Sequence, residues 1–349
     1  MNNLERLILY YLAGRVFIPA PRYLIYNATW RCDLFCRHCG VWEAKKRGEL
    51  SPENLEKIIN RKFFSKIDTV WLTGGEPTLR PDLNRLARIF RLRLPAMRIL
   101  GIASNGSATE RVISRLEEIL SELDPDRHGL FIQLSLDGIG EVEDRIRGKQ
   151  GVFAGLSQTV KEIDLLKKKY PERKIELGFN CVIQRQNVAQ LNEIKEFAVS
   201  KGAGLTFNVI EITDQGYNNK QREEELAFHQ EEKGEAKRFL RKLISGSEPG
   251  FRYHYRSILS VLDGKTRNRR CLSLYSTLVI DSDGSWLPCP LCSEWMRVNF
   301  LEMDPGKFWK GKEARALRRK AAQELCPSCM LSCSVGDSLS LREFFSGGF

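Results

Sequence analysis

Three cysteines fall within eight residues in "CDLFCRHC", residues 32–39. Cys32, Cys36 and Cys39 are separated by three and then two positions. Thiolates are soft ligands, suited to iron–sulfur clusters, zinc or copper(I). Three of them are one short of a closed tetrahedral zinc site and one short of a fully ligated iron–sulfur cube. A cube held by three thiolates keeps one iron open to a further ligand. Six more cysteines gather after residue 270: Cys271, Cys289, Cys292, Cys326, Cys329 and Cys333. Six thiolates fit one four-cysteine cluster with two to spare, two clusters with non-cysteine or open positions, or a structural zinc ion. The tenth cysteine, Cys181, stands alone in an apolar run and reads as a small core residue. No secretory signal is visible, so the chain is expected in the cytoplasm, a reducing compartment. There, clustered cysteines mean metal or catalysis more often than disulfides.

The elements that must position these residues follow from periodicity. Short β-branched or aromatic runs at 23–30, 69–75, 98–106, 130–138, 175–183 and 205–212 read as strands. Helical patterns lie between them. The first, 51–64, has Ser51 as N-cap and Pro52 in its first turn. Others cover 82–92, 110–123, 157–170 and 187–202, the last closed by Gly202. This alternation predicts an α/β fold with a parallel sheet and right-handed crossovers. The first cysteine set then follows the first strand, at the end of the sheet where α/β folds place their ligands. After residue 213 the pattern loosens into a charged loop and an amphipathic helix. "STLVIDSDGSWLPC" (276–289) reads as a β-hairpin around an Asp-Gly turn. The expected divisions are an N-terminal extension over 1–22, an α/β core over 23–215, a helical linker over 216–265 and a cysteine-rich segment over 266–349.

With 349 residues the chain can bury a sizeable core. Its 42% hydrophobic and 28% charged residues exclude a fibrous or broadly disordered protein. The net charge of +11 includes basic runs at 88–98, 265–270 and 315–320. Basic residues are otherwise mixed with acids, which reads as a solvated surface. The runs lack interleaved aromatics, so nucleic acid is not the expected partner. Residues 2–21 hold too short an apolar run to span a bilayer. They can form an amphipathic helix ending near Gly14, which either caps the core or touches a membrane surface or a partner.

The loop "CDLFCRHC" resembles the signature of radical S-adenosylmethionine (SAM) enzymes. Three further motifs fit in order, each at a strand end: "GGEP" (74–77), "SNG" (104–106), and "SLDG" (135–138) followed by "EDRIRGKQGVF" (143–153). The resemblance covers roughly residues 20–215. It implies a partial (β/α)6 TIM-like barrel, followed by a small cysteine-rich domain containing the hairpin. It also implies that Cys32, Cys36 and Cys39 hold a [4Fe-4S] cluster whose open iron is chelated by SAM. The reduced cluster would cleave SAM to a 5′-deoxyadenosyl radical, which abstracts hydrogen from a substrate. By position, His38 would lie near the adenine, with a plain loop histidine as the alternative. Gly74 and Gly75 would bring backbone close to SAM. Glu76 would bind the methionine amino group or fix the loop. Ser104 and Asn105 would reach SAM or make a turn. Ser135 and Arg147 would meet the SAM carboxylate, with Arg145 competing for the second role. Asp137 would line the substrate pocket or simply open the Asp-Gly turn. Reduction would draw on an electron donor such as flavodoxin or ferredoxin.

The spacing from Cys271 to Gly284 and Cys289, with the later "CPSCMLSC", resembles the SPASM domain that binds auxiliary iron–sulfur clusters. Two cysteines of the full pattern are missing. One auxiliary [4Fe-4S] cluster is therefore expected. It would use Cys271 and Cys289, with the rest drawn from Cys292, Cys326, Cys329 and Cys333, and would pass electrons to or from the substrate radical. SPASM-bearing proteins modify ribosomal peptides, mature other enzymes, or act on sugars and other small molecules. About twenty residues precede the first strand, so no peptide-recognition domain is expected there. The positive charge suits a phosphorylated or nucleotide-linked substrate. Peptide and small-molecule substrates both stay open. The competing class is a non-catalytic iron–sulfur or zinc module, which "GGEP", "SNG" and "SLDG" oppose.

Overall fold

The computed structural model describes residues 12–14, 16–43, 47–267, 271–292, 295 and 297–333. The helix expected near the N-terminus falls almost wholly outside the described residues. Six strands follow the sequence expectation: β1 (Tyr23–Thr29), β2 (Thr69–Gly74), β3 (Ile99–Ser104), β4 (Gly129–Ser135), β5 (Lys174–Ile183) and β6 (Gly204–Val209). Each pairs in parallel with its neighbour in chain order. Central strands lie between two covered faces, which is why β1 has five buried residues among seven and no clean alternation.

Helices α1 (Pro52–Ile59), α2 (Leu83–Arg93), α3 (Thr109–Glu122), α4 (Glu141–Arg147), α5 (Val152–Lys169) and α6 (Leu191–Ser200) connect the strands. Apolar residues at three- and four-residue spacing face the sheet, as with Val112, Leu116, Ile119 and Leu120 of α3. The start of α1 obeys its capping signal: Ser51 Oγ accepts from the Asn54 amide at 3.3 Å, and Pro52 opens the helix. The short α4 has no counterpart in the sequence reading. It is two turns long, bounded by Gly140 and Gly148 at positive φ, and too brief to show a period.

The amphipathic helix expected after residue 213 is α7 (Gln230–Gly246). A second helix, α8 (Pro249–Leu262), packs on it and was not anticipated. The expected hairpin consists of β7 (Thr277–Ile280) and β8 (Ser285–Leu287), turned at Gly284 with φ +88° and extended by β9 (Val298–Asn299). The sequence offered no partner for this hairpin. In the structure β7 lies parallel to β1, with Tyr23 beside Thr277 and Tyr26 beside Ile280. One unclosed sheet of nine strands results, in the order β6-β5-β4-β3-β2-β1-β7-β8-β9. Two helices, α9 (Pro305–Lys310) and α10 (Lys312–Glu324), cover its far end. Arg318, from the basic run at 315–320, is buried there. Its guanidinium lies 3.9 Å from the Trp309 ring centroid and donates to the carbonyls of Leu274 and Trp309. That residue is a packing element and adds nothing to a basic surface.

A single carboxylate fastens the hairpin to the first cysteine loop. Asp281, immediately after β7, is completely buried. It accepts from Asn27 of β1 at 3.0 Å, Trp30 at 2.6 Å, and the guanidinium groups of Arg47 and Arg297 at 2.7 Å each. Burial pushes the carboxyl pKa up, and these donors outweigh it, so the net shift is downward. A depressed carboxyl pKa contributes stability that is present above the unfolded value and is lost as pH falls through the folded one. We expect Asp281→Asn to lower the unfolding free energy by about 3–5 kcal/mol at neutral pH. The variant should lose less stability than the wild type on acidification below about pH 4. Urea melts at several pH values test both points.

Candidate active site

The cysteine loop leaves β1 and is held from three directions. On one side, the Phe35 and Arg37 amides donate to the carbonyls of Arg147 and Ile146 in α4, each at 3.0 Å. On another, the Gly40 amide donates to Tyr217 O at 2.6 Å, and Asn219 Nδ2 donates to His38 O at 2.7 Å. From the third, Asp33 accepts from Asn105 Nδ2 at 2.9 Å and from Arg111 at 2.5 Å. Cys32, Cys36 and Cys39 are free thiols on the wall of one cavity. Burial pushes Cys32 and Cys39 up to about 12 and raises Cys36 against the pull of Arg147. Such thiols hold their protons until a metal centre displaces them.

The cavity is open to solvent at its mouth. Every SAM-contact residue expected from sequence lines it: His38, Gly74, Gly75, Glu76, Ser104, Asn105, Ser135 and Arg147. Arg145, the competitor, is exposed and lies off the lining. The two glycines are needed because β2 ends against the start of the cysteine loop. A Cβ on Gly74 would stand 2.2 Å from Thr29 O, and one on Gly75 2.1 Å from Arg31 O. That approach lets the Gly75 and Glu76 amides donate to the same two carbonyls at 2.7 and 2.8 Å.

Glu76 is buried, and its carboxylate joins two motifs. Oε1 accepts from Thr78 N, Thr78 Oγ1 and Ser104 Oγ at 3.2, 2.6 and 2.9 Å. Oε2 accepts from Asn105 N at 2.8 Å. Burial raises its pKa against these donors. Of the two roles read from sequence, fixing the loop is the one these bonds perform. Thr78, Asp33 and Arg111 complete the network. Sequence reasoning missed them because ordinary polar residues carry no spacing signal.

Arg147 is buried and already partnered. Its Nε donates to Glu143 at 2.8 Å, Nη2 lies 3.0 Å from Asp137, and Nη1 lies 3.7 Å from Cys36 Sγ. Asp137 is a buried member of this cluster as well as the start of a turn. Its Oδ1 accepts from Val182 N at 2.7 Å, and its Oδ2 stands 3.6 Å from His38 Nε2. Burial holds His38 down to about 4, so its ring is neutral at pH 7. Gln184 Nε2 lies 3.3 Å from its Nδ1. Glu211 and Tyr217 also line the cavity and were not anticipated. Glu211 follows β6 and accepts from the Met330 amide of the "CPSCMLSC" segment; burial pushes its pKa up to about 7.

The second cysteine set lines a small pocket of its own. Cys271, Cys289, Cys326, Cys329 and Cys333 line it. Cys292 is buried beside it, its sulfur 3.3 Å from that of Cys289. Leu331 borders both cavities. Cys181 is buried in β5, as expected for a core residue.

Residues 26–198 match the radical SAM superfamily, and residues 271–333 match the SPASM iron–sulfur cluster-binding domain. The chain thus contains a radical SAM domain followed by a SPASM domain. Among curated relatives, pre-heme d1 synthase of Dinoroseobacter shibae is 30% identical over 209 residues, 59% of this chain and 47% of the relative. Mycofactocin maturase MftC of Mycobacterium tuberculosis is 31% identical over 202 residues, 57% of this chain and 47% of the relative. The chain thus spans about half the length of these relatives. Among solved structures, anSMEcpe with bound AdoMet superimposes with a TM-score of 0.62 at 19% identity, covering 93% of this chain and 95% of that one. SuiB from Streptococcus suis bound to precursor peptide SuiA gives 0.60 at 16% identity, covering 95% and 73%. At these identities the likeness shows the fold.

A radical SAM domain implies a [4Fe-4S] cluster and SAM, and a SPASM domain implies auxiliary iron–sulfur clusters. The residues present fit the first pair. Three free thiols share one wall, one ligand short of a complete cube, beside the glycine pair that closes the end of β2 onto the root of their loop. The second cavity, lined by free thiols, fits a cluster as well. Since both Glu76 oxygens accept from backbone amides, glutamine must turn an NH2 toward one of them. We expect Glu76→Gln to cost about 1–3 kcal/mol of stability. It should also weaken SAM binding at least tenfold in equilibrium dialysis of reconstituted protein.

Proposed function

We propose that this radical SAM chain is an enzyme that modifies a peptide or small organic substrate, with one auxiliary [4Fe-4S] cluster. The observation that carries this reading is the convergence of Cys32, Cys36 and Cys39 with the Glu76–Ser104–Asn105 network on one cavity at the C-terminal ends of parallel strands. When bound, the reduced cluster and SAM supply a 5′-deoxyadenosyl radical that removes a hydrogen atom from the substrate.

The chain's own residues have three tasks in this scheme. Cys32, Cys36 and Cys39 hold the cluster, and the α4 amide contacts keep their loop in place. Gly74, Gly75, Ser104 and Asn105 would form the floor under SAM, with neutral His38 toward its adenine. Ser135 and Arg147 would meet the SAM carboxylate, and Val182, Val209 and Ile210 make an apolar wall of the same cavity. Among the described lining residues Arg147 is the only cation, and two carboxylates already pair with it. This favours a reacting group without phosphate, despite the basic net charge. Glu211 and Tyr217 face the space left for the substrate. A small electron carrier such as flavodoxin or ferredoxin supplies the reducing electron.

Anaerobically reconstituted protein should contain about eight irons per chain, at about four per cube. Replacing Cys32, Cys36 and Cys39 by alanine should leave about four irons and abolish 5′-deoxyadenosine formation from SAM under dithionite. A wild type with about four irons and one zinc would make the C-terminal site structural. A triple variant that still cleaves SAM would overturn the assignment of the first loop.

A further inference from the structure

Arg267 belongs to the basic run at 265–270. In the structure it is only 9% exposed and borders the second cysteine cavity. Among the described residues lining that cavity, it is the only charged side chain. Its backbone amide donates to Pro327 O at 2.6 Å, fastening the turn that carries Cys326 and Cys329. Burial acts against the guanidinium charge. Arginine stays protonated throughout the accessible pH range, so this positive charge is permanent.

An iron–sulfur cube held by thiolates carries net negative charge, and reduction adds to it. A buried anion is costly unless a counter-charge lies close by. The net charge around a cluster and the hydrogen bonds to its sulfurs are among the levers that set its potential. We propose that Arg267 is the counter-cation of the cluster held by the second cysteine set, and that its charge raises that cluster's reduction potential. This inference rests on reading that set as an iron–sulfur site. Arg267 is neither a ligand nor a catalytic residue; it acts through the cluster.

The test uses the full chain with Cys32, Cys36 and Cys39 replaced by alanine, so that the auxiliary cluster alone gives an electron paramagnetic resonance signal. That parent is titrated potentiometrically with dithionite beside versions carrying Arg267→Gln or Arg267→Lys, and iron and zinc are counted in each. At the parent's midpoint, Arg267→Gln should show about a tenfold lower ratio of reduced to oxidised cluster, equivalent to about 59 mV for one electron. Arg267→Lys, which keeps the charge, should stay near the parent. If the glutamine variant cannot hold the cluster while the lysine variant can, the charge is needed for assembly and the inference stands. Equal midpoints in parent and glutamine variant overturn it, as does an equal displacement in both variants. Loss of the cluster from both assigns Arg267 a packing role and also overturns it. A parent that takes up zinc or no metal at the second site refutes the iron–sulfur reading beneath it.

Discussion

The buried Asp281 carboxylate is the point on which the arrangement of both cysteine sites depends. Its four side-chain donors come from β1, from the residue two before Cys32, from the approach to α1 and from the segment before β9. Arg47 also lies over the Trp30 ring at 4.3 Å, so the loop root is held by charge and by stacking together. A carboxylate in such a place is tolerated because its partners satisfy it; without them it would be among the most expensive groups in the protein. The price is justified by position. The same contact that ends the hairpin also starts the cysteine loop.

The first site solves a different electrostatic problem. It brings together three thiols and the carboxyl groups of Glu76, Asp137, Glu143 and Glu211 around one arginine. The carboxylates do not gather freely. Glu76 is surrounded by donors from two strand ends, and Asp137 and Glu143 share Arg147. Burial raises the pKa of Glu76 and Glu143 and of all three thiols. A metal centre entering such a pocket brings positive iron to a place already arranged for it.

The strands were legible because β-branched runs alternate with helical patterns, and the residues singled out by the cysteine spacing and the paired glycines line one cavity. The pairing of β7 with β1 was not legible, because a short buried strand shows no preference for a particular neighbour. Nor was α8 visible, since "FRYHYRSILSVL" mixes basic and aromatic residues in a way that matches a helix only once α7 is there to cover it. The basic runs left open what their arginines do. Arg267 borders a cysteine cavity and Arg318 stacks on tryptophan. Composition reports how many cations a chain has, and only packing decides which of them meet water.

The parallel contact between β1 and β7 has a consequence for how the chain can be divided. Without the hairpin, β1 would offer a row of open amides and carbonyls along an unprotected sheet margin, which is an invitation to intermolecular pairing. A fragment ending before Cys271 would therefore carry every described lining residue of the first site except Leu331 and still be prone to aggregate. The iron–sulfur segment thus serves as a margin guard for the barrel that precedes it, whatever electrons pass between them.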